Sequence, residues 1–253
     1  MLITQVRNAT ILISYKENLI LVDPMLANKG MLPRLRYIGS NVRNPTVELP
    51  ETFHQQKGQI THALITHCQK GHFDHLDSAG RKFLRRKNIA TFATQKDAKY
   101  LESKGIKSWP LEKEDKFFDG SIRQIPAQHV RGFLYPFLEH GVGYFIKLPN
   151  QPSLYLMGDT VLTPRIIEFI KKEQPDYIVA PTGIAQFDIG SPLLLPKKDI
   201  KKLIEISTGT IIANHMDALD HCRLSRRELK ELLGNEASKR FIIPEDGESI
   251  KLN

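Results

Sequence analysis

Several apolar runs of this sequence end in an aspartate or a histidine, and this recurrence constrains the fold more than any other feature. The runs are rich in β-branched and aliphatic residues, which is typical of buried strands. They are residues 19–22 before Asp23, 63–66 before His67, 122–127 before His129, 154–157 before Asp159 and 210–213 before His215. In layered folds such strand ends gather at one edge of the sheets. The sequence therefore predicts a layered fold with one polar edge, where distant histidines and aspartates can surround a metal ion.

The order of the predicted elements refines this fold. Residues 2–22 form three apolar runs separated by short turns, which indicates a β-meander. After residue 63, strand and helix patterns alternate, and helix starts are marked by Thr163-Pro164 and by a capping box from Ser225 to Glu228. A chain of 253 residues without repeats or linkers suits one domain. We predict a single domain over residues 1–253 of the α/β class, a four-layer αββα sandwich. Two mixed β-sheets pack face to face in it, with helices outside.

Two segments resist assignment from their pattern. Residues 26–59 contain prolines at positions 33, 45 and 50 and show no lasting periodicity. A loop of this length in a compact domain is usually functional or disordered. We interpret it as a loop over the site, and we expect residues 133–140 to help shape specificity.

Composition narrows the range of partners. The formal charge of +8 is spread over many segments, and the densest basic runs, 81–87 and 197–202, indicate exposed helix faces. No stretch interleaves basic and aromatic residues as single-strand binders do, which disfavours nucleic acid. No apolar run approaches the ~20 residues of a membrane helix. The start lacks a signal-peptide pattern and the chain has two cysteines. We expect a cytoplasmic protein with no membrane partner and a small-molecule substrate; a homo-oligomer is compatible with these features.

The stretch ITHCQKGHFDHLD, residues 65–77, carries the densest set of metal-binding side chains. Histidine and carboxylate ligands without thiolates suit zinc, manganese or iron. The candidate ligands are His67, His72, Asp74, His75, His129, Asp159 and His215. Seven ligands suffice for one or two divalent ions with positions left open for water, which marks a catalytic site. His54, His62 and His140 lack such a context.

At these positions the chain resembles the metallo-β-lactamase-fold superfamily. Its five motifs occur in order between residues 3 and 226, as Asp23, His72-Phe73-Asp74-His75, His129, Gly158-Asp159-Thr160 and His215. The resemblance implies that His72 and His129 bind a first metal and that Asp159 bridges to a second. It implies that Asp74, His75 and His215 bind the second metal. Asp23 would orient ligands by hydrogen bonding.

The chain departs from the superfamily at the first histidine of the HxHxDH motif. Strict spacing would place that histidine at Lys70, whereas His67 follows Thr66 three positions earlier. In one interpretation residues 68–71 bulge out and His67 still reaches the first metal, with Gly71 supplying unusual backbone angles. In the other, the first site lacks a ligand and the protein holds one metal, or one tightly and one weakly. We favour the first interpretation. Cys68 is a weaker third candidate.

Two further segments are similar, more loosely, to the branch that includes the ascorbate-phosphate lactonase. They are residues 184–188 and 214–222, and the similarity implies that Asp217 and His221 face the site. We expect a metal-dependent hydrolase that attacks with a metal-bound hydroxide, since a bound metal lowers the pKa of water from ~15.7 to ~7. Asp74 would be catalytic by orienting the nucleophile, and His221 and Arg131 would contact an anionic substrate. A lactone or another small ester or amide is the first choice.

Other functions stay open because one fold hosts many chemistries. A phosphodiesterase or nuclease acting on a nucleotide or RNA is the next choice, given the basic charge. The same ligands could hold a redox-active iron pair, although the chain has no room for a flavin domain. A nucleic-acid binder with a vestigial metal site is the third class.

Overall fold

The computed structural model describes residues 1–38, 41–69, 72–129, 141–234 and 240–253. Within these ranges it contains fourteen strands and six α-helices. The strands are β1 Leu2–Arg7, β2 Thr10–Tyr15, β3 Asn18–Val22, β4 His62–Leu64, β5 Ala90–Thr94, β6 Ser108–Leu111, β7 Glu114–Phe117, β8 Gly120–Pro126, β9 Val142–Lys147, β10 Leu154–Leu156, β11 Tyr177–Pro181, β12 Thr210–Asn214, β13 Phe241–Ile242 and β14 Ser249–Lys251. The helices are α1 Glu51–Gln56, α2 Ser78–Lys87, α3 Gln95–Ser103, α4 Pro164–Glu173, α5 Lys197–Ile206 and α6 Arg226–Leu233. No described helix has the length and apolar character to cross a bilayer.

The strands form two seven-stranded sheets, each of mixed direction. The first sheet has the order β14-β1-β2-β3-β4-β5-β6, and the second has β13-β12-β11-β10-β9-β8-β7. The first three strands pair antiparallel as a meander, and β3 to β6 then pair in parallel. In the second sheet β7 to β10 pair antiparallel and β10 to β13 in parallel. The predicted sandwich of two mixed sheets is confirmed.

The core lies between the sheets and beneath the helices. Ile13 and Leu64 of the first sheet share one buried cluster with Ile146 and Ile212 of the second. A second cluster joins the outer face of the second sheet to α4, α5 and α6, and a third joins the first sheet to α2 and α3. Each sheet is therefore covered on both faces. This suits its parallel strands, which are usually buried on both sides.

Two parts of the fold differ from the sequence prediction. Residues 26–59 were predicted to be a loop throughout, but α1 begins after Pro50 and a 3₁₀ turn follows at Lys57–Gln59. The helix has only six residues, too few for a clear 3.6-residue pattern. The strands β6 and β7 were not predicted, because Pro110 and the charged residues 114–116 hide their alternation. Residues 133–140, expected to shape specificity, lie outside the described ranges.

Candidate metal centre

The polar edge predicted from the sequence exists in the fold. Asp23 follows β3, His67 follows β4, His129 follows β8, Asp159 follows β10 and His215 follows β12. The remaining candidates, His72, Asp74 and His75, lie in the segment between β4 and α2. That segment is fixed at its end because the Asp77 carboxylate accepts the Gly80 N–H at 2.6 Å and caps α2. The sheet edge and this segment bring all seven candidate ligands together in two groups.

The first group contains only histidines. His67, His72 and His129 each offer a nitrogen, and these nitrogens lie within 4.8 Å of one another. The Nε2 atoms of His67 and His129 are 3.0 Å apart. Burial lowers the pKa of His129 to about 4, and burial with the charges of neighbouring histidines holds the pKa of His67 well below its usual value. Neutral imidazoles with free lone pairs are the form that binds a metal.

His67 reaches this group despite its displaced position in the sequence. Its ring is fully buried. The centroid of this ring is 4.7 Å from that of His72 and 3.9 Å from that of His75. The Thr66 hydroxyl lies 3.1 Å from His67 Nδ1, which leaves Nε2 facing the other donors. This is the position that the first of the two interpretations requires. Lys70 and Gly71, which would form the rest of the bulge, lie outside the described residues.

Cys68 is occupied elsewhere. Its thiol donates to Asp97 Oδ1 at 3.5 Å, and its backbone N–H donates to the same oxygen at 3.1 Å. Burial raises the pKa of the thiol, which keeps it protonated. A protonated thiol is a poor metal ligand. Cys68 belongs to neither donor group among the described residues.

The second group combines carboxylates with histidines. Asp74, His75, Asp159 and His215 offer donor atoms within 4.8 Å of one another. Asp159 Oδ2 is 3.0 Å from His75 Nε2, 3.4 Å from His215 Nε2 and 4.0 Å from His129 Nδ1. Asp159 therefore lies between the two groups, as a bridging carboxylate would. Asp74 Oδ2 is 3.6 Å from His215 Nε2.

The charges of the second group favour a cation. Burial alone would raise the pKa of Asp74 and Asp159, but attraction to His75 and His215 outweighs burial and holds the pKa of both carboxyls well below the usual range. Burial likewise opposes protonation of these two histidines, and the carboxylates overcome it and raise the pKa of each imidazole. A divalent metal can replace these protons as the compensating charge.

Unpaired atoms test whether the donors fit a metal. His72 Nδ1 and His75 Nε2 are buried and have no hydrogen-bond partner among the described residues. His75 Nε2 is close to Asp159 Oδ2, but the two atoms do not form a hydrogen bond, so they are not directed at each other. Unpaired buried polar atoms are rare and call for an explanation such as an ion. The donor set of imidazoles and carboxylates fits one or two divalent ions.

Outer contacts hold the rings in place. Asp23 Oδ2 is 2.9 Å from His75 Nδ1, and the same carboxylate accepts the Thr66 hydroxyl at 2.6 Å and the Thr66 N–H at 2.8 Å. Asp23 therefore lies against the ring nitrogen of His75 that is turned away from the donor group. Such contacts fix which imidazole nitrogen faces the metal.

Two neighbours of His215 were missed by sequence reasoning. Asn8 Nδ2 lies 3.4 Å from His215 Nε2, and the Asn8 carbonyl accepts the His215 N–H at 3.0 Å. Cys222 Sγ lies 3.6 Å from His215 Nδ1. Asn8 occupies the left-handed turn between β1 and β2, where asparagine is well tolerated, so its pattern indicates only a turn. The pairing across distant strands that brings it to His215 cannot be read from local sequence.

Three further residues, His221, Asp217 and Arg131, were expected to face the site or to contact the substrate. His221 is buried beside the centre, with its ring 6.3 Å from that of His215 and stacked on Phe187 at 5.9 Å. The Asp217 carboxylate accepts from the Arg226 guanidinium at 2.9 Å, and its expected orientation toward the site stays a prediction. Arg131 lies outside the described residues.

Comparison with known proteins places the chain in a family. No protein-family model matches it. The UPF0173 protein YddR of Bacillus subtilis (strain 168) is 35% identical over 254 residues, which cover 98% of each chain. The chain belongs to the UPF0173 family.

Solved structures similar to this UPF0173 family member extend the comparison. The isothiocyanate hydrolase from Delia radicum gut bacteria is 30% identical, with a TM-score of 0.88 over 100% of this chain and 99% of that one. A possible metal-dependent hydrolase from Veillonella parvula DSM 2008 is 27% identical, with a TM-score of 0.89 and the same coverage. The resemblance to the metallo-β-lactamase fold and the prediction of a metal-dependent hydrolase are confirmed at this level. The small-molecule substrate stays a prediction. The resemblance to the lactonase branch stays a prediction.

Proposed function

We propose that this protein binds two divalent metal ions and hydrolyses an isothiocyanate. The observation that carries the proposal is the pair of convergent donor groups that share Asp159. The full-length similarity to an isothiocyanate hydrolase, at 30% identity, supports the choice of substrate. Zinc or manganese suits the donors best, and iron is compatible with them.

The ligands divide between the two metals according to their groups. His67, His72 and His129 would hold the first metal. Asp74, His75 and His215 would hold the second, and Asp159 lies between the two groups, where it could serve both. Asp23 orients His75 through the 2.9 Å contact with Nδ1. Two-metal sites of hydrolases use such an arrangement to hold both the attacking and the leaving atoms.

The reaction adds one water molecule to the isothiocyanate and yields an amine and carbonyl sulfide, R–N=C=S + H₂O → R–NH₂ + COS. A divalent metal, when bound, lowers the pKa of a coordinated water to about 7 and polarises the atom under attack. Asp74 offers a carboxylate oxygen within the second donor group, so it is placed to accept a proton from the attacking water and return it to the departing nitrogen. The water oxygen bonds to the central carbon, the carbon–nitrogen bond breaks, and both water hydrogens end on nitrogen.

His221 provides a polar contact for the substrate. Burial lowers the pKa of His221 to about 4, so the ring is neutral, and its buried Nδ1 has no partner among the described residues. We assign it to hydrogen bonding with a substrate heteroatom. Phe187, stacked on the ring, offers an apolar surface to the organic substituent. The predicted contact of Arg131 with an anionic substrate is not needed for an uncharged isothiocyanate and stays a prediction.

A lactone is the second candidate, supported by one observation. The two segments that resemble the lactonase branch pack against each other beside the metal centre. The Gln186 N–H donates to the His221 carbonyl at 2.9 Å, and Ala185 pairs with Cys222 as an isolated bridge. Like an isothiocyanate, a lactone needs water attack on an electrophilic carbon and a proton for the leaving group. The predicted phosphodiesterase and nucleic-acid-binding alternatives have no such observation in their favour.

The test compares substrate classes on one metal-loaded preparation. The protein, purified without chelators and reconstituted with zinc or manganese, is assayed with benzyl isothiocyanate, a γ-lactone and a phosphodiester. We expect turnover of the isothiocyanate with equal release of amine and carbonyl sulfide. We also expect a loss of at least ~100-fold in kcat for Asp74→Ala, because Asp74 moves the proton. Asp119→Ala is the control and should keep full activity, because Asp119 is exposed and belongs to neither donor group.

Three outcomes would contradict this assignment. Turnover of the lactone alone would support the second candidate, and turnover of the phosphodiester alone would restore the nuclease interpretation. Full activity of Asp74→Ala on the isothiocyanate would remove Asp74 from the mechanism.

A further inference from the structure

A cavity separate from the candidate metal centre lies at the opposite end of β4. His62 begins β4 and His67 lies five positions further along the chain, beyond the end of this strand, which places them at most roughly 16 Å apart. The cavity has a volume of about 380 Å³, within the range of small-molecule pockets. Its lining is formed by His62, Phe92, Trp109, Pro110, Leu111, Asp115, Lys116 and Phe118. Neither donor group contributes a residue.

The aromatic rings of this cavity have the geometry of a half-open box. Phe92 and His62 are nearly parallel, with centroids 5.7 Å apart and planes at 21°, and they form the floor. Phe118 stands at 88° to His62, with centroids 5.0 Å apart. Trp109 stands at 79° to Phe92, with centroids 5.6 Å apart. The two upright rings form walls, and we call these four residues the aromatic box.

The backbone at Phe118 is unfavourable for its residue type. Phe118 has a φ of 53° in the turn between β7 and β8, where glycine or asparagine is preferred. A bulky side chain in this region is an outlier, and such strain is found where a position serves a function. The conformation places the ring against His62, Phe92 and Phe117. The strain therefore coincides with the position that forms one wall of the aromatic box.

The charges around the aromatic box favour an uncharged occupant. Asp115 and Lys116 both line the cavity and balance each other. Lys107 Nζ already lies 5.9 Å from the centre of the Trp109 ring, which disfavours a second cation there. His62 Nδ1 contacts the Thr61 hydroxyl at 2.9 Å, and Nε2 has no partner among the described residues. Burial lowers the pKa of His62, so its free nitrogen is available as a neutral hydrogen-bonding group.

We propose that the aromatic box binds a planar, uncharged heteroaromatic ring of nucleobase size. The faces of the rings provide stacking and edge contacts, and His62 Nε2 provides one hydrogen bond. Trp109 remains 47% exposed, so a ligand ring can still cover its surface. Aromatic side chains stack on such rings with little dependence on their substituents. This site is separate from the hydrolytic centre and does not depend on its assignment.

The protein contains its own probe for this site. Trp109 is the single tryptophan of the chain, so the intrinsic tryptophan fluorescence reports on the aromatic box alone. The metal-loaded protein is titrated with adenosine and, separately, with uridine. We expect saturable quenching by at least one of the two. The absence of saturable quenching by both would overturn the proposal. A change of fluorescence with protein concentration and no ligand would also overturn it, because the cavity would then be an interface between copies.

Two variants at Phe118 separate binding from folding. Phe118→Leu keeps apolar bulk and removes the ring, and Phe118→Gly removes the wall at a backbone angle that glycine adopts freely. Both should weaken nucleoside binding about 10-fold, since the stacking contact is lost. Tyr37→Leu, at an exposed aromatic outside the cavity, should bind as the wild type does. Unchanged affinity in a folded Phe118→Leu protein would contradict the role of the ring.

Discussion

At the scale of single residues, two histidines of the candidate metal centre use their two ring nitrogens differently. One nitrogen faces the other donor atoms, and the second contacts a side chain that holds the ring. His75 shows this division, with Nδ1 on Asp23 and Nε2 on the side of Asp159. His67 has the same division between Thr66 and His129. Because the outer contacts fix the tautomer and the direction of each ring, they determine how well the ligands are preorganised.

Asp23→Asn tests the outer contact of His75. The amide keeps the size of the side chain but removes the negative charge that orients the imidazole. We expect metal affinity to fall by ~10- to 100-fold with the fold retained. Competition with a chromophoric chelator measures the affinity. Thr66→Ser serves as the control, because it keeps the hydroxyl that donates a hydrogen bond to Asp23. Equal affinities for wild type and Asp23→Asn would exclude this role.

At the scale of elements, a buried arginine fixes the loop that follows β3. The Arg7 guanidinium donates to the carbonyls of Met25 at 2.6 Å, Ala27 at 2.9 Å and Val47 at 3.0 Å. Arg7 is fully buried, and this burial lowers its pKa to about 10. The segment after Asp23 is therefore held against β1 beside the metal centre.

Arg7→Leu should lower the free energy of unfolding by ~2–4 kcal/mol. The substitution leaves three carbonyls without their donor in a buried place, and each unsatisfied group costs ~1–3 kcal/mol before relaxation. Urea denaturation of the apoprotein measures the change. Arg227→Leu, with a side chain that is 85% exposed, should change it by less than ~0.5 kcal/mol. A similar small effect for Arg7→Leu would mean that the loop carbonyls find other donors.

Elements with local chemical signals could be predicted from the sequence, and elements without them could not. The Thr163 side chain caps α4 with Pro164 at its first turn, and Ser225 and Glu228 form both halves of the predicted capping box. The strands β6 and β7, each at an edge of its own sheet, have no such signal. The strand-end residues of the site were predictable because an apolar run followed by histidine or aspartate is a local pattern. The contacts of Asn8 and Cys222 with His215 were not, because tertiary pairing creates them.

At the scale of the whole molecule, the candidate metal centre draws its residues from both sheets. Asp23 and His67 follow strands of the first sheet, whereas Asp159 and His215 follow strands of the second. A metal bound by residues from both sheets stabilises the native state over the unfolded chain, where the donors are far apart.

Removal of the metal should therefore lower thermal stability. Saturation at ~100 times the dissociation constant contributes ~2.7 kcal/mol, which corresponds to a loss in Tm of ~5–10 °C for a chain of this size. Calorimetry before and after treatment with a chelator, followed by addition of zinc, measures the loss and its recovery. An unchanged Tm in a protein shown to have lost its metal would contradict this coupling between the sheets.

The two-metal centre with His67 as a ligand is tested most directly by metal content per chain. Elemental analysis compares the wild type with His67→Ala, both purified without chelators and re-equilibrated with zinc or manganese. His54→Ala, at an exposed histidine of α1, is the matched control. We predict two metals per chain in the wild type and the control, and about one in His67→Ala. Equal metal content in all three proteins would make His67 a bystander and contradict the proposed centre.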